Sequence, residues 1–76
     1  MIVIYDEIQS YAHNMRCLKN VIKRSFYPKV EIGFDFVKVT NRKAVTYIYF
    51  EPSKIEELQK EIKDFQLLCL RFCEVV

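Results

Sequence analysis

Two apolar stripes at helical spacing flank a middle segment in which apolar residues alternate, and this change of period predicts the fold. Ile8, Tyr11, Ala12, Met15, Leu18, Ile22 and Phe26 recur at three- and four-residue steps, the pattern of a helix with one buried face. Asp6 stands ahead of them with Gln9 three positions on, a capping-box start. Pro28 stops the helix, because the residue before a proline is pushed out of the helical region. From Val30 the period becomes two: Val30, Ile32, Phe34 and Phe36 alternate with Glu31, Gly33 and Asp35, which predicts one strand with a half-wet face. The polar Thr40-Asn41-Arg42-Lys43 joins it to a second strand over residues 45–51, a β-hairpin. Met1 to Tyr5, rich in β-branched residues, predicts a short opening strand.

Residues 53–76 contain neither Gly nor Pro. Ile55, Leu58, Ile62, Phe65, Cys69, Phe72, Cys73 and Val76 fall within an arc of roughly 100° at helical pitch, and Ser53 with Glu56 forms a second capping box. The expectation is one continuous helix. The predicted architecture is α+β, a single domain over residues 1–76 in the order β-α-β-β-α, with a three-stranded sheet and two long helices on one face. The alternative ends the second helix near Lys63 and adds a strand from Leu67, giving the ferredoxin-like β-α-β-β-α-β order. Leu67-Leu68-Cys69-Leu70 shows no alternation, and Leu, Gln, Arg and Glu favour helix, so the continuous helix is preferred.

Composition adds two constraints. Apolar content of 51% in 76 residues is far from the composition of a disordered chain, yet so short a chain buries only about 60% of its unfolded surface, so a partner or second copy matters for stability. Three cysteines without regular spacing predict a reducing, cytoplasmic setting. The apolar start meets Asp6 and Glu7 too early for a membrane span, and no membrane partner is expected.

The net charge of +2 implies nothing by itself, but it is unevenly spread. Residues 10–43 hold eight basic residues against Glu31 and Asp35, a balance of +6, which leaves −4 elsewhere. Arg16, Lys19, Lys23 and Arg24, with His13, occupy one side of the first helix, and Lys38, Arg42 and Lys43 cluster near the hairpin loop. If both groups project to one end, they form a cationic patch suited to phosphates or an acidic protein surface.

No catalytic set is complete. Asp6 and Glu7 follow a strand, where a metal-dependent nuclease places acids, with Asp35 as the one nearby companion; helix capping accounts for the first two equally well. His13 and Cys17, and Cys69 and Cys73, are four apart, but no Cys-x-x-Cys knuckle accompanies them and no metal or other cofactor is expected. With Gly33 as the only glycine, a phosphate-cradling loop is not available.

The hairpin carries the clearest surface pattern. Lys43-Ala44-Val45-Thr46-Tyr47-Ile48-Tyr49-Phe50 resembles the strand octamer of RNA-recognition motifs over these eight residues, with Ala44 in place of the usual Gly and Val45 in place of an aromatic. That resemblance implies an open sheet on which bases stack. Strand alternation puts Thr46, Ile48 and Phe50 toward the helices and Val45, Tyr47 and Tyr49 on the opposite face. The leading expectation is a non-enzymatic binding or regulatory protein that occupies a macromolecular partner's surface, as a homodimer, with Val45, Tyr47 and Tyr49 as its sheet-face interface. Nucleic-acid binding through the basic flank and the tyrosines is the alternative, and a metal-dependent nuclease a distant one.

Overall fold

The computed structural model describes residues 1–7, 9–25, 28–68 and 74–75, with backbone placement alone for 66–68 and 74–75. Ile8 and Phe26 of the first expected stripe, and Cys69, Phe72, Cys73 and Val76 of the second, lie outside the described residues. The chain forms β1 (Ile2–Tyr5), α1 (Tyr11–Arg24), β2 (Lys29–Ile32), β3 (Phe36–Thr40), β4 (Val45–Tyr49), a short 3₁₀ turn (Pro52–Lys54), α2 (Ile55–Leu68) and β5 (Glu74–Val75). The class is α+β: a mixed four-strand sheet in the order β1-β4-β3-β2, with the two-residue β5 added beside β2. Strands β2, β3 and β4 run as an antiparallel meander, while β1 lies parallel to β4 and β5 parallel to β2.

The expected three strands become four because the predicted first hairpin strand folds back on itself at Gly33. The Gly33 amide donates to the Phe36 carbonyl at 2.8 Å, and the Phe36 ring lies so close over Gly33 that an added Cβ would sit 2.5 Å from two ring carbons. Only a residue without a side chain permits that approach. The reversal also changes the phase of the strand. Val30 and Ile32 point toward the helices, but so do Val37 and Val39, paired with Ile48 and Thr46. Phe36 therefore stands on the outer face and Phe34 on the turn, 79% exposed. The hairpin loop itself follows the sequence reading: Asn41 Oδ1 accepts from the amides of Lys43 and Ala44, both at 2.9 Å, a side-chain mimic of a backbone turn.

Both helices are shorter than the periodicity suggests. Helix α1 begins at Ser10, whose Oγ accepts the His13 amide at 3.1 Å, so the cap falls four residues after Asp6. Ser caps as well as Asp. Its end comes at Ser25, before Pro28 can act: the Ser25 hydroxyl donates to the Val21 carbonyl at 2.7 Å and accepts from Asn41 Nδ2 at 2.9 Å. Ser53 lies within the 3₁₀ turn, and Glu56 and Glu57 instead occupy the first turn of α2, where carboxylates complement the helix dipole.

The continuous helix over residues 53–76 is not formed. Helix α2 ends at Leu68 and the chain returns to the sheet, where Glu74 and Val75 pair with Lys29 and Val30. Twenty-four helical residues would measure about 36 Å, more than the 28 Å long axis of the molecule, and would leave the β2 edge unpaired. With its terminal strand the chain approaches the alternative order, but the meander supplies one strand more than β-α-β-β-α-β.

One core joins the layers. Met15, Leu18 and Ile22 of α1 and Leu58 and Ile62 of α2 pack on Val30, Val37, Val39, Ile48 and Phe50. All five sheet residues come from one face or its rim, so both helices cover that face and leave the other open.

Candidate interaction surface

The open face follows from register. Ile2 and Ile4 sit beside Val45 and Tyr47, Tyr47 beside Lys38, Tyr49 beside Phe36, and Lys38 beside Glu31. Because strand residues alternate between faces, these side chains all project away from the helices. The Phe36 ring lies 5.7 Å from that of Tyr47 and 5.8 Å from that of Tyr49, both tilted. Lys38 Nζ stands 5.8 Å from the Tyr47 ring centroid, a contact worth about 0.5–1 kcal/mol at an exposed site. Ile2 is 67% and Ile4 57% exposed. The result is an apolar, aromatic strip along β1 and β4 bordered by charge on β2 and β3. Val45, Tyr47 and Tyr49 thus occupy the outer face that alternation assigns them. Phe36, Ile2 and Ile4 join them through contacts set by the Gly33 turn and the β1–β4 pairing, neither of which local sequence signals.

The expected cationic group divides into three places. Arg24, Arg42 and Lys43 come together with Ser25, Asn41 and Ala44 around a cleft of about 340 Å³ at the end of α1 beside the hairpin loop, with no acid in its lining among the described residues. Lys38 belongs to the open sheet face. Arg16, Lys19 and Lys23 border a separate groove over α1 that also holds Glu61.

That groove is an interhelical clamp. The Tyr11 hydroxyl donates to Glu61 Oε2, Lys19 Nζ reaches Oε1 at 3.0 Å, and Lys19 and Lys23 lie 5.8 and 5.9 Å from the Phe65 ring centroid. Two of the predicted partner-binding lysines are therefore turned toward α2. Glu61 is held below its ordinary value of 4.5, chiefly by the Tyr11 hydrogen bond and further by Lys19, against the opposing effect of burial. Burial, then the Glu61 carboxylate, push the Tyr11 hydroxyl upward. A depressed carboxylate stabilises the fold above 4.5 and loses that contribution as pH falls through its lowered folded value. Glu61→Gln should therefore cost about 0.5–1 kcal/mol at pH 7 after solvent screening and nothing once wild-type Glu61 is protonated. Urea unfolding of both proteins from pH 7 down to pH 2 checks this, and parallel curves throughout would refute the clamp.

The remaining candidates are less assembled. Asp6, Glu7, His13 and Cys17 border one cleft beside β1, while Asp35 sits in the β2–β3 turn and lines no part of it. His13 Nε2 is 3.8 Å from Cys17 Sγ; Cys69 and Cys73 lie outside the described residues. Among the described residues, no group of three His, Cys, Asp or Glu side chains is placed to hold a metal. Among them also, no helix is long and apolar enough to cross a membrane. No protein-family model matches the chain, and no curated protein or solved structure matches it either.

Proposed function

We propose that this is a small non-enzymatic binding protein, regulatory or inhibitory in action, that occupies a macromolecular partner's surface with its open sheet face and works as a homodimer. The observation that carries this reading is the strip of exposed Ile2 and Ile4 and half-buried Phe36, Tyr47 and Tyr49 on the sheet face opposite the one whose middle packs into the core. Contiguous exposed apolar surface on a small domain marks a contact site, and aromatic side chains at its centre are the residue types that dominate binding energy. Lys38 and Glu31 at its border fit the polar rim of such an interface.

A nucleic-acid reading is favoured by a different observation, the gathering of Arg24, Arg42 and Lys43 at the hairpin end of the same sheet. Phosphates would lie there, with bases on Tyr47.

A paired experiment separates the two. Bait protein and its Tyr47→Ser/Tyr49→Ser variant are compared in a host pull-down, and both are titrated with single- and double-stranded oligonucleotides at two salt concentrations. The binding-protein reading expects a defined protein captured by wild type and lost by at least about tenfold in the variant. Capture that is indifferent to the substitution refutes the sheet face as the contact surface. The nucleic-acid reading expects affinity that falls steeply with salt and drops for all sequences alike in Arg42→Ala/Lys43→Ala; no shift at low salt refutes it.

A further inference from the structure

Strand β1 is exposed on three sides. Its outer-face residues Ile2 and Ile4 are 67% and 57% exposed, Tyr5 on the helix side is 47% exposed, and among the described residues β1 is an edge of the sheet with β4 as its one neighbour. The helices cover the middle of the sheet and stop short of it.

The free edge has a defined chemistry. The Val45 amide donates to the Met1 carbonyl at 2.8 Å, so Met1 directs its carbonyl at β4. Backbone groups in a strand alternate in direction, and in the parallel register observed Val3 and Tyr5 face β4 as Met1 does. The amides and carbonyls of Ile2 and Ile4 point away from it. Proteins blunt such an edge with Lys, Pro or an inward charge, and Met1 to Tyr5 contains none of these.

We infer that this edge is where two copies of the chain join, β1 against β1 and antiparallel, with the two-fold axis through Val3. The occupant is a second copy because the exposed groups are self-complementary. Under that axis Ile2 of one protomer stands opposite Ile4 of the other, and each pair exchanges two backbone hydrogen bonds, four in all, while Val3 faces Val3 in the closer, non-hydrogen-bonded pair. Residues opposite one another share a face, so Ile2 meets the partner's Ile4 on the outer side. The apolar strips of the two protomers then form one band on a single continuous sheet. The axis stands perpendicular to the sheet, which keeps both open faces on the same side and doubles the surface offered to the macromolecular partner. This rests on the homodimer part of the proposed function and specifies how that dimer forms.

Light scattering coupled to gel filtration, at tens of micromolar protein, tests it with two variants. Ile4→Pro deletes an amide that β4 does not use and places proline where an edge strand tolerates it. Wild type should elute at twice the 9.2 kDa chain mass; Ile4→Pro should elute at the single mass, with association weakened at least about tenfold by the two hydrogen bonds lost per dimer. Val3→Cys should form a disulfide-linked dimer on mild oxidation that the parent protein, with its own cysteines, does not, since opposed residues of the non-hydrogen-bonded pair lie within disulfide reach. If Ile4→Pro fails to fold by circular dichroism, the Val3→Cys cross-link decides alone. A dimer that survives Ile4→Pro and gives no Val3→Cys cross-link overturns the edge pairing but leaves a homodimer formed elsewhere. A wild-type monomer overturns the homodimer itself.

Discussion

Phe50→Ala should cost about 3–5 kcal/mol, the range for truncating a buried aromatic. A domain of this size holds roughly 4–11 kcal/mol in total, so about a third of its stability or more would go. Phe50 is 1% exposed and is the largest fully buried side chain of the described residues. It lies where β4 leaves the sheet for the 3₁₀ turn, packs edge-on against Tyr11 of α1 at 6.2 Å and 60°, and belongs to the same core as Leu58 and Ile62 of α2. One ring therefore touches the packing of both helices and the sheet. The hydrogen bond that its backbone N–H donates to the Asp35 carbonyl at 2.8 Å survives the substitution, so the loss measures the side chain. Urea denaturation should show the midpoint lowered by a third or more, and a change of less than about 1 kcal/mol would mean that the three layers do not meet at this position.

Asn14→Leu should destabilise by about 1–3 kcal/mol despite adding apolar surface at a buried site. Asn14 is 4% exposed, and its Nδ2 donates to the Tyr49 carbonyl at 2.8 Å. Leucine fills similar volume but leaves that carbonyl without its donor, and an unsatisfied buried acceptor costs its full desolvation. The bond also joins α1 to the residue that carries one of the outer-face tyrosines, so the same substitution should loosen the aromatic strip. Denaturant unfolding and the near-ultraviolet dichroism of the tyrosines check the two effects together. An equally stable variant would show that water or another donor reaches the carbonyl without cost.

The elements legible in the chain are those written in local chemistry. Met15, Leu18 and Ile22 at helical spacing mark α1, and Leu58 and Ile62 mark α2, because a buried helical face must repeat about every 3.6 residues. Asn41 marks the hairpin loop because its side chain makes the turn's own hydrogen bonds. The phase of β4 was readable for the same reason, since Thr46, Ile48 and Phe50 must all fall on one side once any of them does. The cationic residues were visible as a group, but their division was not: Glu61, 42 positions from Lys19, draws that lysine toward α2, and no spacing rule reports a contact between two helices.

What the sequence alone determined was the class, α+β, the presence and apolar faces of both helices, and the tyrosine face of the hairpin. The tertiary structure decided the rest: the reversal at Gly33, which needs Phe36 to close over a missing side chain; the end of α2 at Leu68, where pairing β2's open edge outweighs further helix; and the exposure of β1, which depends on how far the helices reach across the sheet. Each is a competition between a local preference and backbone groups or surface brought near by distant parts of the chain, and a single window of sequence holds one side of that competition only.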